Sequence, residues 1–251
     1  MSATVDDDAL VAFLAHLEKC WRKLGETQPH WSVLSAPIFR PDRIGETVEQ
    51  FYGSGEHDVA SLIEKGERFG LTFPRRGKCL ELGCGVGRMT MWFARRFDRV
   101  VALDVSPSHL AIARRAVLKA RCLNVELRLV SRPDAFDRLP EIDCFFSVIV
   151  LQHNPPPVIR WMLRKILSRL KPGGVGVFQL PTRIPGYTFN AADYLANLPT
   201  HGEMEMHALS RADVVGVVHE AGCELVATVE HDVIGIEGAE SLDFFVRRLH
   251  T

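Results

Sequence analysis

Glu81-Leu82-Gly83-Cys84-Gly85-Val86-Gly87-Arg88 is the stretch on which the reading of the fold turns. It follows a short apolar run, residues 79–82, and precedes Met89, Trp92, Phe93 and Phe97, which recur at helical spacing. Glycines between a strand and a helix let the backbone turn tightly and approach a ligand with no Cβ in the way. Asp104 closes the next apolar run, residues 99–103, and stands 23 positions after Glu81. In an open parallel sheet, ligands bind outside the carboxyl ends of the strands, where a carboxylate can accept both hydroxyls of a ribose.

Working outward, short apolar runs alternate with helical patterns, as in a parallel sheet with helices on both faces. Ser106-Pro107 pairs a cap residue with proline at the first helical position, and Leu110, Ala113, Val117 and Ala120 line one face of the helix that follows. Residues 125–130 form a third strand. Residues 144–150, apolar throughout, form a fourth that both faces should cover. Pro157 opens a helix with Ile159, Met162, Leu163, Ile166, Leu167 and Leu170 on one stripe, and Lys171-Pro172-Gly173-Gly174 stops it. A fifth strand spans residues 175–180. Ser210 and Asp213 have capping-box spacing ahead of a helix whose buried side is Val214, Val215, Val217, Val218 and Ala221, ended by Gly222. Two β-rich runs, 225–234 and 242–249, follow with no helix between them and read as an antiparallel hairpin. The expected fold is α/β: a seven-stranded, mostly parallel, doubly wound sheet with a C-terminal antiparallel hairpin.

Residues 1–74 stand outside this alternation and read as an N-terminal helical cap on a domain of residues 75–251. Leu10, Phe13, Leu14 and Leu17 mark one amphipathic helix; Val59, Leu62, Ile63 and Phe69 mark another. Tyr52, flanked by Gly53 and Gly55, is a candidate lid contact on a glycine hinge, whereas Trp31 reads as core.

Composition narrows the function. The chain has 251 residues and a net charge of −1, and no local basic patch points to a nucleic-acid partner. The acidic start is not a signal peptide, and no apolar run approaches the ~18 residues of a membrane span. Six scattered cysteines read as reduced core residues, so a cytoplasmic location is expected. No metal-ligand spacing stands out.

The cofactor follows from charge. A dinucleotide turn wants G-x-G-x-x-G, with the pyrophosphate at the helix N-terminus. Here the third glycine comes one position early and Arg88 takes the other place. Glu81 would repel a pyrophosphate but attract a sulfonium and an ammonium, and S-adenosylmethionine carries both.

With these residues in view, 81–88 resembles motif I of class I methyltransferases, Val101-Ala102-Leu103-Asp104-Val105-Ser106 resembles their next motif, and Leu170-Lys171-Pro172-Gly173-Gly174 resembles the turn before their fifth strand. The resemblance covers residues 75–250. It implies S-adenosylmethionine as cofactor, with Gly83 and Gly85 near its methionine part, Asp104 on the ribose and Val105 against adenine. Arg88, Gln152 and Tyr52 join the expected cofactor contacts. Many relatives carry an acid after the third strand that meets the adenine amino group; Ser131 or Asp134 stands there in this chain.

The methyl acceptor must lie in line with the S–C bond, and a hydroxyl acceptor needs a base. His153, in the loop Leu151-Gln152-His153-Asn154-Pro155-Pro156-Pro157, is the candidate base. That loop resembles the Leu-His-His or Leu-Gln-His loop of small-molecule O-methyltransferases. Asn154-Pro155-Pro156 does not match the Asn-Pro-Pro-Tyr motif of amino methyltransferases, because Leu151-Gln152-His153 intervene after the strand and Pro157 replaces the ring that would stack on a planar amine. Tyr187 and His207 are candidate acceptor contacts; His201, Glu203 and Glu205 read as a solvated loop. The expected partner is a small-molecule or saccharide acceptor bearing a hydroxyl. N-methylation of a small amine, or a non-catalytic binding partner of the same fold, are the alternatives, and the oligomeric state, a homodimer included, is open.

Overall fold

The computed structural model describes residues 7–202, 204–231 and 235–250. They fall into two compact units, residues 18–131 and residues 1–17 with 132–251. Helix α1, Asp7–Thr27, runs through the first division.

The unit of residues 18–131 carries α2 (Ile44–Arg68), β1 (Lys78–Leu82), α3 (Thr90–Arg96), β2 (Arg99–Asp104), α4 (Pro107–Lys119) and β3 (Val125–Leu129). Its strands lie side by side in the order β3-β2-β1, all parallel, with Leu82 beside Leu103 and Asp104 beside Leu129. Every residue of β2 after Arg99 is buried, whereas β3 is half-buried up to Arg128 and exposed at Leu129. Ser106 caps α4 by accepting the His109 N–H, as its place before Pro107 predicts. Phe69, assigned to the buried face of α2, is instead exposed just past the helix end.

The other unit carries α5 (Pro133–Asp137), β4 (Ile142–Ser147), α6 (Pro156–Leu167), β5 (Leu170–Arg183), α7 (Ala191–Ala196), α8 (Arg211–Glu220), β6 (Cys223–Glu230) and β7 (Glu240–Arg248). Its strand order is β4-β5-β7-β6; β4 and β5 are parallel, and β7 runs antiparallel to both neighbours. The C-terminal hairpin is therefore present, with β7 as its inner strand and the Phe178 and Phe244 rings stacked 5.2 Å apart across β5 and β7. Part of the first hairpin run, residues 232–234, lies outside the described residues.

Two boundaries differ from the sequence reading. Helix α6 already ends at Leu167; Lys171-Pro172-Gly173-Gly174 instead bulges out of β5, whose register on β4 jumps between Ile142↔Leu170 and Cys144↔Val175. The fourth strand ends at Ser147, three residues short of Val150. Ile149 adopts φ +57°, a strained left-handed conformation for a β-branched residue, and breaks the strand there.

Candidate functional site

The sequence-predicted site residues divide between the two units. In the unit of residues 18–131, the turn after β1 is stapled to the end of β2. The N–H groups of Gly83 and Cys84 both donate to the Leu103 carbonyl, at 2.8 and 3.0 Å. Asp104 continues the staple: one carboxylate oxygen accepts from Gly85 N–H at 2.7 Å and the other from Ser106 N–H at 2.8 Å. Gly85 holds φ +52°, and a Cβ there would meet a Val33 methyl at 2.5 Å, so both backbone angle and space require glycine.

Glu81 is buried beneath this turn and takes a 2.6 Å hydrogen bond from the Thr90 hydroxyl. Burial pushes its pKa up to about 7; the Thr90 bond and Arg88 pull the other way, and Asp104 adds to the rise. Asp104 is also held above the usual carboxylate range by burial, against the nearby His109 and the amides on its oxygens. Buried acids at the ends of two neighbouring strands form an acceptor set of a kind that a cationic, ribose-bearing ligand fits.

Arg88 is committed elsewhere. Its guanidinium donates to Asp58 at 2.6 Å and to Ser54 at 3.0 Å, while Nε lies buried with no hydrogen-bond partner. Tyr52 donates to the Val86 carbonyl at 3.3 Å, so it touches the turn from α2. Burial raises its pKa to about 12, and it stays a neutral phenol. The expected glycine hinge is absent: Gly53 and Gly55 lie inside the 25-residue helix α2. Gly55 instead lets α2 pack against the Arg88 carbonyl, which a Cβ would strike. Val105 and Ser131 are half-buried just past the ends of β2 and β3. Asp134, the alternative to Ser131, belongs to the other unit, is exposed and pairs with Arg138 at 3.0 Å.

A strap of residues 28–36, part of the segment expected as a cap, lies on the turn. Val33 packs on Gly85, the His30 ring meets Phe51 and Tyr52 edge-on, and the Ser32 hydroxyl is 2.9 Å from His109 Nε2. His109 is buried, and burial keeps its pKa low, so the ring stays neutral. Nothing local in the sequence marks Ser32, Val33 or His109.

In the other unit, the loop after β4 builds a second cluster. His153 is buried, with Nδ1 2.9 Å from the Glu205 carbonyl. A carbonyl only accepts, so Nδ1 carries the proton and Nε2 keeps its lone pair. Burial lowers the pKa of His153 against that bond. Gln152 is buried beside it: its Oε1 accepts from Gln179 at 2.9 Å, its Nε2 lies 3.4 Å from His153 Nε2, and its carbonyl accepts from His207 N–H at 2.7 Å. Gln179 is fully buried in β5 and also donates to Ser241 at 2.6 Å, while its Oε1 accepts the N–H of strained Ile149 at 2.9 Å. A glutamine inside the apolar run 175–180 was the available signal for it.

Glu205, read as solvated loop, is the hub of this cluster. Its carboxylate accepts from the Tyr194 hydroxyl and, at 2.9 Å, from His201 Nδ1. The His201 ring stacks on Tyr194 with centroids 3.8 Å apart. Tyr187 lies 2.8 Å from His207 Nδ1. Burial lowers the His207 pKa to about 4, with Glu205 opposing the shift. Glu203 lies outside the described residues. Among the described residues no group of three or more His, Cys, Asp or Glu could hold a metal ion, and no helix is long and apolar enough to cross a membrane.

Residues 79–174 match the family model described as a methyltransferase domain. The chain is 31% identical over 187 residues to the ubiquinone biosynthesis O-methyltransferase of Pseudomonas savastanoi pv. phaseolicola, covering 72% of this chain and 76% of that one. Among solved structures it resembles the magnesium protoporphyrin IX methyltransferase of Synechocystis PCC 6803 with bound S-adenosylhomocysteine (TM-score 0.61, 15% identity, 92% of this chain and 97% of that one). It also resembles the N-methyltransferase NodS of Bradyrhizobium japonicum WM9 (TM-score 0.57, 15% identity, 94% and 100%). These structures share the seven-stranded, mostly parallel α/β fold with its antiparallel hairpin. Fold, family model and relative together define a class: enzymes that transfer methyl groups. The chain belongs to the class I methyltransferases, whose cofactor is S-adenosylmethionine.

Proposed function

We propose that this methyltransferase acts on a hydroxyl group of a small polar or saccharide acceptor, with His153 as the base. The observation that carries this reading is the His153 ring: buried, kept neutral, and fixed by the Glu205 carbonyl in the tautomer whose Nε2 can take a proton. The O-methyltransferase name of the Pseudomonas relative supports a hydroxyl acceptor over an amine, since an amine with a free lone pair needs no such base. Bound S-adenosylmethionine supplies a methyl group already activated on a sulfonium. Glu81, Gly83, Gly85, Asp104 and Val105 hold it in this reading, with Tyr52 and Arg88 bracing the turn, Ser131 at the adenine side and Gln152 setting the loop. Residues 1–74 serve as a cap on the domain of residues 75–251, and the protein works in the cytoplasm, where its cysteines stay reduced.

The test is methyl transfer from labelled S-adenosylmethionine to a panel of sugars, phenols and amines, with His153→Ala beside the parent. The expected outcome is transfer to hydroxyl compounds and a loss of about 10²- to 10⁴-fold in kcat in the variant. Transfer to amines alone, or a variant within threefold of the parent on a hydroxyl acceptor, defeats the proposal.

A further inference from the structure

Strand β3 is an edge: β2 lies on one side of it, and among the described residues no strand lies on the other. An edge strand presents a row of backbone groups that another chain can pair with, unless proline, a bulge or like charges blunt it. Leu123-Asn124-Val125-Glu126-Leu127-Arg128-Leu129 contains no proline and no glycine, and its two charges have opposite signs. The register of β3 on β2 runs unbroken from Val100↔Val125 to Asp104↔Leu129. Apolar surface flanks the edge: Leu129 is 43% exposed, and Leu123, just ahead of the strand, is 85% exposed.

Two bonds show which way the backbone of β3 points. The Asn124 carbonyl accepts from Val100 N–H, and the Val130 N–H donates to the Asp104 carbonyl, both at 2.9 Å. Even-numbered residues therefore turn their backbone groups toward β2, and Val125, Leu127 and Leu129 turn theirs outward. A second β3 approaching antiparallel can bond only through these three residues, so the possible registers differ by steps of two. With Leu127 on the two-fold axis, Leu127 faces its own copy and Val125 faces Leu129, giving about six backbone bonds, two at each facing pair. Glu126 of each copy then stands opposite Arg128 of the other, in the closer type of antiparallel pair. A slip of two residues one way sets Glu126 against Glu126; a slip the other way sets Arg128 against Arg128. Backbone direction, overlap and charge all select the same register. Arg99 of β2 and Arg128 already hold the Glu126 carboxylate at the strand, so the facing Arg128 meets an ordered partner. On the opposite face, Val125 and Leu127 pack on Met91, Val117 and Cys122, and the pairing continues that apolar layer from one copy into the next.

We propose that this edge is the interface of a homodimer, in which two copies of β3 pair antiparallel about Leu127. The test uses the full chain and two single variants, Glu126→Lys and Arg128→Glu. Each alone places like charges opposite one another at both symmetry-related positions. Mixed together, they restore an attractive pair at both: Lys of the first variant faces Glu of the second, and the untouched Arg128 and Glu126 face each other. Mass is read by sedimentation equilibrium over a range of protein concentration.

The expected result is a parent at twice the chain mass, dissociation constants at least about tenfold higher for either variant alone, and recovery of the dimer in the equimolar mixture. That recovery also shows that both variants are folded. A monomeric parent at 100 µM (an arbitrary upper limit of about that order) overturns the proposal. So does a parent dimer that neither variant weakens, since the copies then meet elsewhere. Variants that dissociate and do not recover on mixing overturn the register.

Discussion

The glycine turn and the His153 loop are built by opposite means. Around Gly83 and Gly85 the backbone does the work: the amides of three consecutive residues, Gly83, Cys84 and Gly85, together with that of Ser106, are satisfied by the Leu103 carbonyl and the Asp104 carboxylate. Around His153 the side chains do it. Gln179 of β5, Ser241 of β7 and the stretch carrying Glu205 and His207 come from three separate segments and hold the loop through one connected set of bonds. A backbone site depends on few side chains, and removing one should be felt mainly by the ligand. A side-chain network spreads its dependence, and removing a member should be felt by the fold as well.

The largest effect should come where one side chain does serve the backbone site. Asp104→Ala removes the acceptor of two buried N–H groups and, in the proposed reading, the ribose anchor. S-adenosylmethionine affinity measured by titration calorimetry should fall by at least about 100-fold, at roughly 1–3 kcal/mol for each charged bond lost. A folded variant that binds within threefold of the parent would show that the turn needs no carboxylate.

The loop offers the converse case. Gln179→Leu preserves bulk but strips the partner from Ile149 N–H, from Gln152 Oε1 and from Ser241. Unmade buried bonds of this kind cost about 2 kcal/mol together, and Tm should fall by roughly 4–8 °C in a chain of this size. An unchanged Tm would mean that the loop is held by packing alone, and the contrast drawn between the two regions would collapse.

The same contrast explains what could be read from the sequence. The turn was legible because its determinants are local: glycines between an apolar run and a helical pattern, and an acid at the end of the next run. The Ser210 cap was legible for the same reason, with its hydroxyl accepting the Asp213 N–H three residues on. The end of β4 was not, because apolar residues 148–150 continue the strand pattern and only the bond from Ile149 to Gln179, 30 positions away, reveals the break. Glu205 looked like any loop carboxylate until Tyr194, His201 and the 52-residue span to His153 were closed around it. Gly53 and Gly55 resembled a hinge because glycine spacing alone does not distinguish flexibility from close helix packing.

Glu81 gives the most diagnostic effect. Its pKa of about 7 in the folded chain lies above the ordinary carboxylate value, with burial as the main cause. The folded state therefore holds this proton more tightly than the unfolded chain. As pH rises from about 4.5 to 7, the free protein should lose stability, and the loss should be complete above 7. A cation beside Glu81 reverses the balance by favouring the carboxylate. If the ammonium or sulfonium of S-adenosylmethionine sits there, binding should release about one proton at pH 6 and almost none at pH 8.5. Affinity should climb by up to about tenfold per pH unit between roughly pH 5 and 7 and then level off. Calorimetry in two buffers of different ionisation heat reads the proton count directly, and Glu81→Gln should abolish both the release and the slope. If the slope survives in that variant, another group titrates with the ligand, and the charge argument that selected this cofactor from the sequence rested on the wrong acid.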